Sequence, residues 1–288
     1  MNKEKNSIQR GTLYLVGTPI GNLSDISERA LKILSEVDFI AAEDTRNSMR
    51  LLAHFDIKKP LISYFEHNKR ERGEQIIARL KNGETAALIT DAGMPAISDP
   101  GEDLVRLCSD HSVDVTTVPG PCAAITALTL SGLPTGRFSF EGFLPAAKNE
   151  RKKILEDLAS EKRTMIFHEA PHKLKATVSD MAEIFGEGRR AAFCRELTKL
   201  NEQILRVSLG EAKEYYSENE PRGEFVVVVE GTSGEDSSGI FWSEMTIPEH
   251  VIFYINRGMS KNDAIKAAAK DRKLPKNDVY SQVLDIKI

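Results

Sequence analysis

The chain has 288 residues, a length typical of two domains with an appendage, and its 41% hydrophobic and 28% charged content is ordinary for a globular protein. A formal net charge of −4 excludes a protein coated in positive charge, so any contact with nucleic acid has to come from a local basic patch. The three cysteines lie far apart and the six histidines show no ligand spacing, so we expect reduced thiols and no metal site. The absence of a long apolar run or a signal-like N-terminus predicts a cytoplasmic protein without a membrane span.

The first 118 residues alternate between short apolar strands and helices. Strands are predicted at residues 12–16, 37–42, 61–64, 85–89 and 113–118. This alternation predicts a mostly parallel sheet with right-handed crossovers. A glycine loop from Gly17 to Asn22 follows the first strand, and Asp25 and Glu28 then form a capping-box-like helix start. The loop matches neither the dinucleotide fingerprint nor the P-loop, so taken alone it is a weak sign of a nucleotide site.

Charged residues follow the second and third strands. Glu43 to Arg46 directly follows the second strand, and this placement fits either a helix cap at Asp44 or Thr45 or a functional site. The segment from His67 to Arg72 fits either a solvated helix start or a patch that contacts phosphates.

Two loops at strand ends are rich in glycine, proline and small residues. The loop from Thr90 to Asp103 is long for a strand–helix connection, and Asp99 and Pro100 begin the helix behind it. The turn at 119–121 reads Pro-Gly-Pro and enters a helix of small residues. Ligands of open α/β sheets bind at this edge, so the two loops predict a slot walled by backbone, with tight packing as the alternative.

A second set of strands is predicted within residues 137–231, at 137–145, 164–168, 191–194, 204–209 and 223–231. The four valines from Val226 to Val229 indicate a strand covered on both faces. A flexible linker is predicted at 233–240, and the tail behind it is predicted to be helical. From Arg257 to Lys276 the tail has seven Lys or Arg residues against two Asp, which fits either solvated helix faces or a module that docks on phosphates.

Seven motifs in the same order resemble the ribosomal RNA small subunit methyltransferase I family, a branch of the tetrapyrrole methylase superfamily. The resemblance covers roughly residues 11–231, and the tail is similar to the small helical C-terminal domain of that family. The motifs are Val16 to Leu23, Ala42 to Arg46, Thr90 to Gly101, Val118 to Leu128, Phe140 to Pro145, Glu169 to His172 and Arg195 to Lys199.

The resemblance implies an α/β fold with two α/β domains, at 1–118 and 119–232, and a small, locally basic helical domain at 241–288. It implies S-adenosylmethionine in the cleft between the first two domains, a homodimer, and 2′-O-methylation of a cytidine ribose in the 16S rRNA of the small ribosomal subunit. The cofactor contacts that it implies are Pro19, Asp91, Ala92, Gly93, Ala96, Cys122 and Ala123.

Methyl transfer to a ribose hydroxyl requires positioning and is helped by a base. The candidates for that base are Asp44, Glu169, His172 and Glu196. Asp91 is predicted to organise polar groups of the cofactor. Candidate RNA contacts are Arg46, Arg195, Lys261, Lys266, Lys270, Arg272, Lys273 and Lys276. The alternatives are a tetrapyrrole methylase, a diphthine-synthase-like protein methylase and a non-catalytic RNA-binding module.

Overall fold

The computed structural model describes residues 7–232, 242, 245–272 and 274–283. The chain divides into two compact units, Met1–Gly231 and Thr232–Ile288. The predicted linker at 233–240 lies outside the described residues, and the predicted domain boundary after residue 118 stays a prediction.

The first sheet of the larger unit is fully parallel and has the strand order β3-β2-β4-β1-β5. Its strands are β1 (Thr12–Val16), β2 (Phe39–Ala42), β3 (Leu61–Ser63), β4 (Ala86–Ile89) and β5 (Asp114–Val118). The helices that alternate with them are α1 (Glu28–Glu36), α2 (Thr45–His54), α3 (Lys69–Lys81) and α4 (Gly101–Asp110). Side chains alternate across the sheet, so α1 and α2 cover one face, and α3 and α4 cover the other. The predicted parallel sheet is therefore confirmed.

The predicted start of the first helix is wrong by two residues. Ser27, rather than Asp25, caps α1, and its hydroxyl accepts the N–H of Ala30. Asp25 instead ends a short 3₁₀ helix that Asn22 caps through the N–H of Ser24. Since the Asn22 side chain supplies a local turn, the chain makes one extra bend before the α-helix begins.

The second sheet of the larger unit is mixed and has the strand order β6-β7-β10-β8-β9. Only β6 and β7 pair in parallel, and the other three pairs are antiparallel. The strands are β6 (Phe138–Phe143), β7 (Thr164–Glu169), β8 (Arg190–Arg195), β9 (Gln203–Ser208) and β10 (Phe225–Val229). The helices are α5 (Ala123–Ser131), α6 (Lys148–Leu158), α7 (Pro171–Phe185) and α8 (Leu209–Glu218).

The central strand β10 is covered on both faces, as its valines predict. Val227 and Val229 pack into the cluster formed with α6, α7 and α8. Val226 and Val228 pack against α5 on the opposite face. That second face also receives Ile20, from the loop behind β1, so the loops of the first sheet meet the second sheet here.

The smaller unit is helical where the structure describes it. Its helices are α9 (Ile247–Asn256), α10 (Lys261–Asp271) and α11 (Lys276–Gln282), which share a small apolar core. Ser260 caps α10 through the N–H of Asp263, as predicted. In the described parts of both units, every helix is too short or too polar to cross a bilayer.

Candidate functional site

Two loops of the first sheet are joined by backbone hydrogen bonds at its carboxyl edge. Thr18 and Gly93 form an isolated antiparallel bridge, in which the N–H of each residue donates to the carbonyl of the other. The nitrogen-to-oxygen distances are 2.9 and 3.1 Å. The buried Thr18 hydroxyl also donates to the carbonyl of Thr90 at 3.3 Å. Because β1 and β4 are neighbours in the sheet, their loops leave it side by side and fix each other.

A third loop, the Pro-Gly-Pro turn behind β5, lies against the first at two glycines. A Cβ added to Gly17 would lie 2.7 Å from the Cα of Gly120, which leaves no room for a side chain. The N–H of Gly120 also points to the sulfur of Met94 at 3.2 Å. The structure therefore brings together the two loops that the sequence singled out and packs them against each other.

The loop from Thr90 to Asp103 is held in an unusual conformation by Asp99. Ala96 and Ser98 have φ angles of +66° and +60°, a region that non-glycine residues rarely adopt. The Asp99 carboxylate accepts the N–H groups of Ala96, Ile97 and Gly101 at 3.0, 3.3 and 2.7 Å. These three bonds stabilise the strained backbone and hold Ile97 at the surface of the site.

A cleft of about 400 Å³ opens between these loops and the α5 face of the second sheet. Most of its lining is apolar, with a few polar groups. The first-sheet loops and the start of α5 contribute Ile20, Ala92, Gly93, Met94, Ile97, Cys122, Ala123 and Ala124. The second sheet contributes Phe143, His168, Glu169, Ala170, Pro171, Cys194, Leu197, Glu224, Phe225 and Val226.

His168 lies in the cleft wall between two aromatic rings. The ring centroids of Phe140 and Phe143 lie 5.1 and 5.3 Å from that of His168, both edge to face. Its Nε2 atom is buried and has no hydrogen-bond partner. Burial lowers the pKa of the imidazole below its ordinary value, so the ring is neutral at physiological pH.

Glu169 is the one member of the four predicted acid–base residues that lines the cleft. Its side chain is 1% exposed and forms an ion pair with Lys173 at 3.1 Å. The carboxylate also accepts the N–H of Ala170 at 2.8 Å and the hydroxyl of Thr177 at 2.5 Å. These donors fix the corner between β7 and α7 and set the direction of the carboxylate.

The other three predicted acid–base residues lie outside the cleft lining. Asp44 caps α2, and hydrogen bonds from the side chain and then the backbone of Arg46 lower its pKa to about 2. His172 is exposed in the first turn of α7. Glu196 accepts the N–H of Glu224 and pairs with Lys199 at 3.0 Å, and these contacts lower its pKa.

The predicted cofactor residues divide into two groups. Ala92, Gly93, Cys122 and Ala123 line the cleft, whereas Pro19, Asp91 and Ala96 lie beside residues that do. The Asp91 carboxylate accepts the N–H of Asp44 at 3.3 Å and the amide of Asn47 at 3.1 Å, so it connects the ends of β4 and β2.

Two of the predicted RNA-binding arginines are engaged within the fold. Arg195 lies on the α6–α8 face of β8, away from the cleft, and donates to the carbonyl of Arg222 at 2.6 Å. Arg272 donates to His250 Nδ1 and to the carbonyl of Trp242, both at 3.1 Å, inside the smaller unit. Arg46 is 82% exposed in its pair with Asp44.

The lysines of the tail are placed as follows. Lys270 and Lys276 are exposed, Lys266 pairs with Asp263 at 3.2 Å, and Lys261 is half-buried. Lys273 lies outside the described residues.

The described ranges contain no group of three His, Cys, Asp or Glu residues that could hold a metal ion. All three cysteines are free thiols, and burial raises the pKa of Cys108 to about 11 and that of Cys194 to about 12. These two thiols are therefore protonated and unreactive at neutral pH.

Sequence reasoning missed much of the second-sheet wall, including Phe143, His168 and Leu197. The signal that could have found His168 is strand alternation, because Ile166 and His168 share the face of β7 that α5 covers. Leu197 follows β8 in a loop whose direction depends on positive φ angles at Glu196 and Thr198, which propensity does not reveal.

Comparison with known proteins assigns the fold and the family. Residues 12–213 match the family described as Tetrapyrrole (Corrin/Porphyrin) Methylases. The solved structure of a cobalt precorrin-4 methyltransferase has 18% identity and a TM-score of 0.58, with 77% of this chain and 97% of that chain covered, and it shows the shared fold.

Two curated relatives match nearly the whole chain, and both are ribosomal RNA small subunit methyltransferases I. The Halalkalibacterium halodurans protein is 48% identical, with 94% of each chain covered. The Synechocystis protein is 44% identical, with 96% of this chain and 98% of the relative covered. The chain therefore belongs to the ribosomal RNA small subunit methyltransferase I family, within the tetrapyrrole methylases.

Proposed function

We propose that the protein transfers the methyl group of S-adenosylmethionine to the 2′-hydroxyl of a cytidine ribose in 16S rRNA of the small ribosomal subunit. The observation that carries the proposal is the family membership over nearly the full length of the relatives, which are rRNA methyltransferases by name. A tetrapyrrole substrate is less well supported, since the tetrapyrrole enzymes share the fold at under 20% identity.

The cleft fits a folded nucleoside cofactor in size and lining. Its volume of about 400 Å³ lies within the range of small-molecule sites. Ala92, Gly93 and Ala123 form one wall with little side chain, so a ligand can approach the backbone there. Cys122 begins α5 without a side-chain cap, so the first N–H groups of the helix are left for a carboxylate. When bound, S-adenosylmethionine would supply an electrophilic methyl group on a sulfonium.

We propose distinct roles for two acidic residues near the cleft. Glu169, whose direction is set by Lys173 and Thr177, is the candidate to accept the ribose proton. Asp91 organises the cofactor side by holding the backbone of Asp44 and the amide of Asn47. Calorimetry on Asp91→Ala tests the second role: we expect a sharply raised Kd for the cofactor, and unchanged binding with lost turnover would overturn it.

We propose that the smaller unit and the remaining basic candidates contact RNA. The exposed Lys270 and Lys276 are suited to phosphates, and Arg46 is exposed beside the carboxyl edge of the first sheet. Removal of residues 241–288 should weaken RNA binding and leave cofactor binding intact. Equal loss of both would mean that the tail is structural.

Two further proposals follow from the family. The protein acts as a homodimer, which light scattering on the purified chain would test, and it works in the cytoplasm, which fractionation of cells would test.

The decisive experiment offers three acceptors to the protein together with labelled S-adenosylmethionine. The acceptors are small ribosomal subunits, free 16S rRNA and a porphyrinogen. We expect label in the RNA, at a 2′-O-methylated cytidine after nuclease digestion. Label in the porphyrinogen alone would refute the proposal.

A further inference from the structure

One aromatic side chain at the mouth of the cleft is left largely uncovered by the fold. Phe143, the last residue of β6, lines the cleft and is 58% exposed. Ile97, from the loop behind β4, lines the same cleft and is 52% exposed. The two walls approach each other here, because a Cβ on Gly142 would lie 3.5 Å from the Ser98 hydroxyl. An apolar surface is therefore presented where a ligand enters.

The ring of Phe143 is held in place although it is exposed. The His168 imidazole meets it edge to face at 5.3 Å, with an interplanar angle of 83°. The Lys173 ammonium lies over the ring, 5.7 Å from its centroid. Lys173 is itself fixed by Glu169 and by the carbonyl of Leu144 at 3.1 Å. A fixed aromatic ring with a nearby cation presents a rigid, polarised surface at the cleft mouth.

We propose that Phe143 is the platform on which the acceptor nucleobase stacks, and that His168 is a positioning residue that holds the ring. The inference rests on the proposed function, since it names the contact for the RNA at that same site. An enzyme that modifies a nucleotide has to take it out of its stack, and an aromatic side chain compensates for the lost stacking. Gly93, Cys122 and Ala123 lie on the backbone-walled side of the cleft, which suits the cofactor, whereas Phe143 lies at the opening.

The test compares variants of Phe143 with a matched phenylalanine on the same strand. Stacking on an aromatic residue is lost with Phe143→Ala, so kcat/KM for small ribosomal subunits should fall about 5- to 150-fold. Phe143→Tyr should keep most of the activity, and Phe143→Leu should not. Phe138→Ala is the control, because Phe138 is 40% exposed at the other end of β6. The cofactor Kd, measured by calorimetry, should stay within about twofold for all four variants.

The positioning role of His168 has a separate readout. His168→Ala removes the edge-to-face contact and should lower kcat/KM for RNA by less than Phe143→Ala does. His168→Phe supplies a ring without nitrogen atoms and should restore the activity. If His168→Ala matches the wild type, or if His168→Phe fails to restore activity while it folds and binds cofactor, His168 does not position the ring.

If the wild type methylates RNA and Phe143→Ala is equally active, the stacking inference is overturned and the proposed function is not. If the cofactor Kd of Phe143→Ala rises as much as its kcat/KM falls, the ring contacts the adenosyl group of the cofactor. That result also overturns the inference. Wild-type protein that labels no RNA overturns the proposed function, and the inference with it.

Discussion

The contact between Gly17 and Gly120 gives a prediction that depends mainly on backbone geometry, with the Met94 sulfur as a further neighbour of a Cβ on Gly17 at 2.7 Å. A Cβ on Gly17 would lie 2.7 Å from the Cα and 2.9 Å from the N of Gly120. A Cβ on Gly120 would lie 2.9 Å from the Cα of Gly17. These neighbours are backbone atoms in two loops that each leave a strand, so neither can turn aside as a flexible side chain would. We expect Gly17→Ala and Gly120→Ala to push the loops behind β1 and β5 apart.

The size of the effect follows from the overlap. Ordinary contact of a Cβ begins at 3.4 Å, so Gly17→Ala requires a separation of about 0.7 Å. Overpacking of this kind typically costs about 1–3 kcal/mol. Relief by loop movement would shift the wall formed by Gly93 and Met94, because the Thr18–Gly93 bridge and the Gly120–Met94 contact transmit it. A loss of 1–3 kcal/mol in binding is about a 5- to 150-fold rise in cofactor Kd.

Calorimetry with S-adenosylmethionine measures this change, and a thermal melt shows whether the variants remain folded. Gly136→Ala is the matched control, because nothing lies within 4 Å of its added Cβ and its φ is not positive. It should bind the cofactor normally and be neutral or slightly stabilised, by up to about 1 kcal/mol. If Gly17→Ala and Gly120→Ala bind cofactor as tightly as Gly136→Ala does, the two loops do not form the cofactor wall.

Three further predictions concern ionisable side chains. Glu169→Gln removes the charged partner of the Lys173 ammonium and should cost about 1.5–3 kcal/mol, seen as a melting temperature lowered by several degrees. An unchanged temperature would contradict the ion pair. The pKa of His168 is lower in the folded protein than the 6.5 of a free histidine, so the unfolded chain binds the extra proton. The contribution of His168 to the free energy of unfolding should therefore be fully present above pH 6.5 and decrease below it. In melting temperatures measured from pH 8 to 5, His168→Phe should reduce the decrease below pH 6.5. Arg46→Ala removes the guanidinium donors but keeps the backbone N–H of residue 46, so NMR titration should find the pKa of Asp44 raised above about 2 and still below that of a free aspartate.

The strands and their order of appearance could be predicted from the sequence because their signals are local. Apolar runs such as Thr12–Val16 stand between turn residues, and the observed strand has those bounds. The predicted start of the first helix was wrong for an equally local reason. Asn22 and Asp25 are both suitable helix caps, and the sequence does not reveal that Asn22 first caps a 3₁₀ helix. Strand order and the mixed second sheet depend on pairing between distant segments and were not predicted.

The cleft was predicted mainly on the side of the first sheet, and Glu169 was the one predicted lining residue on the side of the second sheet. Gly93, Cys122 and Ala123 belong to loops whose composition marks them, and they line the cleft. Arg195 ends β8 as Glu169 ends β7, and both pair with Phe225 of β10, so the two side chains point to the same face of the sheet. Glu169 nevertheless lines the cleft, whereas Arg195 does not. Which strand ends border the cleft depends on tertiary packing, which one sequence does not reveal.

The charges around the cleft decide how RNA can approach it. Glu43 and Asp91 are exposed at the carboxyl edge of the first sheet, and the pKa of Asp44 keeps that carboxylate charged down to about pH 2. These carboxylates weaken the attraction of the edge for phosphates, although Arg46 stays 82% exposed in its pair with Asp44. At the mouth, the Lys173 ammonium lies over the Phe143 ring, so we expect the nucleotide to enter there and to bind by stacking. In a protein of net charge −4, attraction for the RNA backbone then has to come from exposed cations elsewhere, such as those of α10 and α11. Raising the salt concentration should accordingly weaken RNA binding steeply while leaving the loss caused by Phe143→Ala nearly unchanged.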